Sequence, residues 1–200
     1  MKFYESGDSS KPVIFLFPGT CCLYSSFDHI LDGLHSYFYT VTVSYDGFDP
    51  NEKTEFYSME DECEKIEQEI KKKYDGRIKA AYGCSLGGSF VSLLIQRKRI
   101  HIDHGIIGSS DMDEAGHLVA KIKSSMVVPF MYKMIHTGAL PKFMQKKLNK
   151  TDEVKKELYN GFLNMFGIGK GGNPWITKQS IYNQFYSDLV TKVQHGIDVP

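Results

Sequence analysis

The sequence predicts an α/β fold, with a mostly parallel sheet, helices on both faces and an inserted helical cap. Two observations support this prediction. In the N-terminal half, short apolar or β-branched runs alternate with stretches of helical apolar spacing, which is typical of parallel strands joined by right-handed crossovers. From residue 113 to about residue 193 the pattern changes to helices without a strand. We therefore expect a core over residues 1–112, a cap over 113–193 and a return to the core over 194–200.

Four segments have the composition of strands. The first, Val13–Phe17, is a continuous apolar run between Pro12 and Pro18, as in a strand buried on both faces. The next is rich in β-branched and aromatic residues. The four predicted strands are 13–17, 37–45, 77–82 and 104–109.

Segments with helical spacing of apolar residues lie between these strands and throughout the predicted cap. Residues 58–73 form the clearest case, because Ser58 and Asp61 resemble a capping box. The inward stripe of this helix is Met59, Cys63, Ile66 and Ile70. The other predicted helices are 25–34, 88–97, 114–124, 129–136, 141–148, 152–166 and 177–193.

Composition narrows the class of protein. The chain has 200 residues, 42% hydrophobic, and its 24 basic and 24 acidic residues give a formal net charge of zero. A net charge of zero indicates neither nucleic acid nor an anionic membrane as a partner. No apolar run approaches the roughly 20 residues that span a bilayer, and the N-terminus lacks the apolar region of a signal peptide. We expect a cytoplasmic protein without a membrane span.

The cysteines and a glycine-rich loop are candidate binding sites. Cys21 and Cys22 are adjacent and admit a metal or redox site, but partner ligands at metal spacing are missing, so small residues in a tight loop are favoured. We predict no metal site. The G-x-G-x-x-G pattern at Gly167, Gly169 and Gly172 does not follow a predicted strand, which makes a dinucleotide site a weak interpretation.

The residues that carry chemistry are Gly83-Cys84-Ser85-Leu86-Gly87, a G-x-S-x-G pentapeptide between a predicted strand and a predicted helix. Strand, sharp turn and helix in this order form a nucleophile elbow, which presents a serine hydroxyl at the C-terminal edge of a parallel sheet. A serine hydroxyl needs a neighbouring base to act at neutral pH, and the oxyanion that forms needs N–H donors.

With this elbow, the strand order and the cap, the chain resembles the α/β-hydrolase superfamily. The resemblance covers nearly the whole of this chain, which corresponds to only the N-terminal two thirds of a complete member. Pro18-Gly19-Thr20 stands where the family carries its His-Gly oxyanion loop, with proline in place of histidine. The resemblance implies Ser85 as nucleophile, the N–H groups of Leu86 and Thr20 as the oxyanion hole, and no cofactor.

The remaining triad members are less defined. Asp111 follows a predicted strand at the correct edge of the sheet and is the candidate acid, although a turn or capping role is at least as well supported; Asp113 is a weaker candidate. His101, His104 and His195 are predicted at the opposite edge. His117 and His136 lie in the cap, where a structural role is favoured. We therefore expect a truncated chain whose catalytic histidine lies beyond residue 200.

The predicted function is hydrolysis of a carboxylic ester or thioester through an acyl-enzyme on Ser85, with a small-molecule acyl substrate. Apolar cap residues are expected to shape an acyl pocket: Met126, Val127, Val128, Phe130, Met131, Met134, Phe162, Met165 and Phe166. Acyltransfer, peptidase and C–C hydrolase activities share the elbow and stay open. So does a non-catalytic ligand-binding or interaction protein of the same fold. The sequence does not define the oligomeric state.

Overall fold

A five-stranded, mostly parallel sheet forms the centre of the molecule. The structure is a computed structural model that describes residues 1–110, 114–150, 152–167 and 171–194. In the sheet the strands lie in the order β1-β3-β2-β4-β5, with β1 antiparallel to β3 and the other neighbours parallel. The strands are β1 (Lys2–Ser6), β2 (Val13–Phe17), β3 (Tyr39–Ser44), β4 (Arg77–Cys84) and β5 (His101–Gly108). The predicted fold class is confirmed.

Seven α-helices and one short 3₁₀ helix are present in the described residues. A 3₁₀ helix at Tyr24–Phe27 leads into α1. None of the helices in this part of the chain is long and apolar enough to cross a membrane. The helices are α1 (Asp28–His35), α2 (Met59–Lys73), α3 (Leu86–Arg97), α4 (His117–Thr137), α5 (Lys142–Asn149), α6 (Glu153–Met165) and α7 (Lys178–Val190).

The region after β5 contains helices and loops without a strand in its described residues. The two helices predicted at 114–124 and 129–136 are one helix, α4, with Pro129 inside it. A proline removes one intrahelical N–H donor, yet α4 continues, because it packs along α7. The division into core and cap stays a prediction, and residues 195–200 lie outside the described residues.

The sheet is covered on both faces, as the continuous apolar run of β2 predicted. Ile14 and Leu16 lie in one buried cluster, against which Leu31 of α1 packs. Phe15 and Phe17 point the other way, into a larger cluster shared with α2 and α3. Alternate residues of a strand face opposite sides of a sheet, so this strand needs apolar residues at every position.

Helix α2 has the predicted start and inward stripe. The Ser58 hydroxyl accepts the backbone N–H of Asp61 at 3.1 Å, and the four stripe residues are fully buried. The Asp61 carboxylate does not complete a reciprocal capping box; it pairs with Lys65 instead.

The edge strand β1 was not predicted from the sequence. It pairs with β3 from Lys2 opposite Ser44 to Ser6 opposite Thr40. Its five residues mix charged and aromatic side chains, which is a weak strand pattern. Its pairing with β3 becomes visible only in the folded sheet.

Candidate active site

Ser85 occupies the turn between β4 and α3. Its backbone has φ 53° and ψ −120°, outside the regions that residues with a side chain normally adopt. Such a conformation costs on the order of 1–3 kcal/mol and persists only where its surroundings enforce it. The Ser85 N–H donates to the Gly108 carbonyl of β5 at 2.8 Å, and the side chain is exposed. The strained turn therefore presents the hydroxyl to solvent.

Two glycines make this turn sterically feasible. A Cβ on Gly83 would lie 1.9 Å from the Gly87 carbonyl oxygen, and a Cβ on Gly87 would lie 2.0 Å from the Phe17 carbonyl oxygen. Neither contact is tolerable for a real side chain. The glycines of the pentapeptide thus allow α3 to begin directly against β4 and against the end of β2.

The loop that follows β2 lies beside Ser85. A Cβ built on Gly19 would be 3.5 Å from the Ser85 Cβ. The Cys22 N–H donates to the Gly19 carbonyl at 3.0 Å and closes a tight turn in which Cys21 has φ 61°. The structure therefore brings together the elbow and the Pro18-Gly19-Thr20 loop, which the sequence placed at neighbouring strand ends.

Gln184 of α7 holds this turn from the other side. Its side-chain oxygen Oε1 accepts the Cys21 N–H at 2.7 Å, and Gln184 is fully buried. The Tyr45 hydroxyl donates to the Pro18 carbonyl at 3.2 Å. Sequence reasoning missed Gln184; a glutamine among the apolar positions of a helix was the one available signal.

Two backbone amides at the site are available to a ligand. Leu86 is the first residue of α3, and the N–H groups of a first helical turn have no acceptor within the helix. The N–H of Thr20 donates to no acceptor among the hydrogen bonds of the described residues. The positive end of the α3 dipole lies at the same point. The arrangement suits a small anion or a developing oxyanion.

Comparison with known proteins supports the same fold. No family model matches the chain, and no curated protein does. Solved structures match it well. An α/β hydrolase family protein from Desulfitobacterium hafniense aligns with a TM-score of 0.69 and 16% identity, over 94% of this chain and 72% of that one. The chain has the α/β-hydrolase fold.

Two esterases share this α/β-hydrolase fold with the chain. One is a marine microorganism esterase, with a TM-score of 0.66, 18% identity and coverage of 100% of this chain and 76% of that one. The other is a thermophilic esterase from Thermogutta terrifontis, with a TM-score of 0.68, 13% identity and coverage of 94% and 66%. At such identities the likeness establishes the fold and leaves the roles of Ser85, Leu86 and Thr20 as predictions.

The described histidines of this α/β-hydrolase fold make contacts away from Ser85. His101 Nε2 lies 3.1 Å from Asp103, and His117 Nδ1 lies 2.9 Å from the Tyr186 hydroxyl. The ring of His136 packs on that of Tyr132, with centroids 5.0 Å apart. Among the described residues no hydrogen bond joins a histidine to the Ser85 hydroxyl; His195 lies outside them.

One histidine placement needs correction. His104 was expected to precede its strand, but β5 begins at His101, and His104 pairs with Ala80 inside the ladder. The strand begins at His101 because His101 pairs with Arg77 of β4, and Asp103 forms ion pairs with Arg77 and Lys79 beside this pair. Of these two histidines, only His101 lies at the N-terminal edge of the strand.

The acid of the predicted triad is not located. Asp111 and Asp113 lie outside the described residues. Asp46 and Gly47 form the turn after β3, which the Phe48 N–H closes by donating to the Tyr45 carbonyl at 3.0 Å, and the Asp46 carboxylate contacts the Met1 ammonium and Lys65. Burial disfavours its charged form, but these hydrogen bonds outweigh burial and lower the pKa of Asp46.

A cluster of carboxylates is a further candidate for a binding site. Asp46, Asp61 and Glu62 lie close enough to share a cation, but the Lys65 ammonium already contacts all three. Burial, followed by the Asp46 charge, raises the pKa of Glu62 to about 7.

The four cysteines are free thiols, and burial raises the pKa of Cys22 to about 12. The three buried thiols, those of Cys21, Cys22 and Cys63, are packing groups rather than reactive ones.

A cleft of approximately 1010 Å³ lies between the 3₁₀ helix with α1 on one side and α6 on the other. Its lining includes Asp28, His29, Glu157, Gly161 and Met165, but not Ser85. Its volume is of the order found in small-molecule sites.

The other predicted acyl-pocket residues divide between the interior and the surface. Val128, Met134 and Phe166 are buried in the core, and Met131 packs against it. The Phe162 side chain is outside the description. Three point outwards: Met126, Val127 and Phe130.

Proposed function

We propose that this chain is a serine hydrolase that cleaves a carboxylic ester or thioester through an acyl-enzyme on Ser85. The single observation that carries the proposal is the strained, exposed Ser85 at the end of β4, beside the Gly19 loop. The backbone conformation of Ser85 costs free energy, and an exposed side chain gains little packing in return. This cost is better explained by the presentation of the hydroxyl to a substrate.

The reaction follows from this placement. The Ser85 Oγ attacks the substrate carbonyl and gives its proton to a base, and the carbonyl oxygen becomes an oxyanion. The N–H groups of Leu86 and Thr20 donate to that oxyanion; losing one such donor typically costs about 10²–10³ in rate. The alcohol or thiol leaves with the proton, and water then cleaves the acyl–Ser85 bond to release the acid. We expect the base to be a histidine outside the described residues.

The neighbouring structures support a carbonyl substrate, since two of the three described above are esterases. The chain spans 66–76% of the length of these three proteins. The activity of a whole protein of this fold is therefore part of the proposal.

A fluorophosphonate probe tests nucleophile and base together, because it labels only an activated serine hydroxyl. In the complete protein, which would supply the base, we expect stoichiometric labelling that Ser85→Ala abolishes. Ser25→Ala is the matched control, because Ser25 is also exposed and lines the neighbouring cleft. Hydrolysis of p-nitrophenyl acetate and its longer-chain analogues should be lost with the same variant. Labelling that persists in Ser85→Ala would refute the proposal.

One observation favours a second candidate, a non-catalytic ligand-binding protein of this fold. No described histidine is hydrogen-bonded to Ser85. If the complete protein is inert to the probe yet binds a carboxylate at the Leu86 and Thr20 amides, the binding function is preferred. Calorimetric titration with short-chain carboxylates would detect that binding.

A further inference from the structure

Helix α4 is apolar on two opposite faces. Ala120, Ser124 and Val128 are buried on the face towards α7. Positions two residues away lie about 200° round a helix, and there the chain again places large apolar side chains. Leu118, Ile122, Met126 and Phe130 recur at every fourth residue and are 72%, 53%, 75% and 40% exposed. We call these four residues the α4 outer stripe.

The outer stripe exposes a contiguous apolar surface. A side chain of this size carries roughly 100 Å² of apolar surface. At their exposures the four residues, with the adjacent Val119 at 48%, form a patch of several hundred Å². Patches of this size are often functional.

The helical segment that carries the stripe is strongly basic, although the formal net charge of the whole chain is zero. Residues 1–113 contain 18 acidic and 12 basic residues, whereas residues 114–200 contain 6 acidic and 12 basic residues. Between residues 114 and 150 there are seven lysines and one acidic residue, Glu114. A neutral total therefore hides an acidic core and a basic helical segment.

These lysines are available to an external partner. Glu114 is paired with Lys192 at 3.3 Å. Six lysines of this segment are exposed, and none forms an ion pair within the part of the chain that the structure describes. They are Lys121, Lys123 and Lys133 on α4 and Lys142, Lys146 and Lys150 on or after α5. Lys121 and Lys123 flank the stripe on either side, and Lys133 continues its line beyond Phe130.

We propose that the outer stripe and its lysines dock on an anionic lipid bilayer, with α4 lying in the plane of the interface. Apolar side chains flanked by lysines are the composition of interfacial amphipathic helices. Lysine stems can cover the edge of the stripe while their ammonium groups reach lipid phosphates. The helix has 21 residues but carries its lysines along its length, which suits surface attachment rather than spanning.

Two other occupants fit less well. Lysine is depleted in protein–protein interfaces, so the three unpaired lysines of α4 beside the stripe weigh against a protein partner. Nucleic acids are bound mostly through phosphate contacts and base edges, which leave a row of exposed aliphatic side chains unexplained. The proposal does not involve Ser85, so it stands or falls independently of hydrolysis.

Vesicle co-sedimentation of the full chain tests the proposal. We expect binding to phosphatidylcholine vesicles containing about one third phosphatidylserine, little binding to pure phosphatidylcholine, and weakening with added salt. At about 1 kcal/mol per lysine near an anionic surface, removing three charges should weaken binding on the order of 100-fold. The charge variant is Lys121→Gln/Lys123→Gln/Lys133→Gln, and its control, with exposed and unpaired lysines of the core, is Lys53→Gln/Lys71→Gln/Lys72→Gln.

A second pair of variants separates the apolar contribution. Leu118→Ser/Ile122→Ser should weaken binding at least ten-fold, whereas Tyr37→Ser/Tyr57→Ser, which removes side chains that are 72% and 67% exposed elsewhere, should not. Because all four side chains are exposed, these variants should fold, which circular dichroism checks. Equal binding of the stripe variant and its control would overturn the proposal.

Two further results would overturn it. One is the absence of binding to anionic vesicles. The other is a vesicle-free dimer in analytical ultracentrifugation that Leu118→Ser/Ile122→Ser dissociates, because a second copy would then cover the stripe. Fluorophosphonate labelling of the stripe variant in the absence of lipid should match the unmodified chain, which distinguishes loss of docking from loss of the reactive serine.

Discussion

Replacement of Gln184 by methionine tests how the loop beside Ser85 is held. Cys21 adopts φ 61°, a conformation that costs a residue with a side chain roughly 1–2 kcal/mol. The opposing contribution is the buried hydrogen bond from the Cys21 N–H to Gln184 Oε1. Leaving a buried N–H unpaired costs about 1–3 kcal/mol. The two terms are comparable, so loss of the acceptor should allow the turn to relax.

The effect on overall stability should be smaller than the effect on the site. Gln184 Nε2 is buried and has no hydrogen-bond partner among the described residues. Methionine has a similar length and removes this unpaired donor together with the acceptor, so the two changes in free energy of unfolding partly cancel. We expect Gln184→Met to change the free energy of unfolding by less than about 1.5 kcal/mol.

The fluorophosphonate labelling rate is the assay for the site. If the turn positions the Thr20 N–H, Gln184→Met should slow labelling by at least about ten-fold, towards the 10²–10³ expected for loss of one oxyanion donor. Gln179→Met on the exposed face of α7 is the matched control. Adding Cys21→Gly should recover part of the rate, because glycine adopts a positive φ without strain.

Two results would refute this reasoning. If Gln184→Met labels at the normal rate with normal stability, the hydrogen bond does not hold the loop. If it labels normally but loses several kcal/mol in urea denaturation, Gln184 is a packing residue with no positioning role.

Two further predictions concern pH and the cleft. Because the folded pKa of Glu62 is raised to about 7 from 4.5, the native state retains its proton and stability falls as pH rises across this window. In urea melts, Glu62→Gln should reduce the change in the free energy of unfolding across this pH window by up to about 3 kcal/mol. An unchanged dependence of the free energy of unfolding on pH would contradict this prediction. A Cβ on Gly161 meets nothing within 4 Å, so Gly161→Phe should fold, fill the cleft and raise KM for long-chain esters. Gly161→Ala, which gains helix propensity of about 1 kcal/mol without filling space, is its control; equal KM values would exclude the cleft as the acyl site.

Local features of this chain could be predicted from sequence. The Ser58 cap, the buried stripe of α2 and the elbow around Ser85 depend on residues a few positions apart, and each was confirmed as a structural element. Gly83 and Gly87 also belong to this class, because a tight strand-to-helix turn requires glycine whatever surrounds it.

Features that depend on distant partners could not be predicted. Gln184 contacts Cys21 across 163 positions, and no local pattern indicates the pairing. The same is true of β1, which depends on β3, and of α4, where contact with α7 outweighs the break that Pro129 predicts. The predicted acid, Asp111, lies outside the described residues, so its role stays a prediction.

The parallel pairing of β2 with β4 has a consequence for how the reactive serine is assembled. Ile14 pairs with Ala80, and all of α1, β3 and α2 lie between them in the chain. Closing so long a loop is entropically costly, and non-local parallel pairing is slow compared with helix formation. Gly87 contacts the end of β2, so the turn at Ser85 lacks this part of its support until the pairing is complete. During refolding, competence for serine labelling should therefore be among the last properties to return, well after the helical signal has recovered.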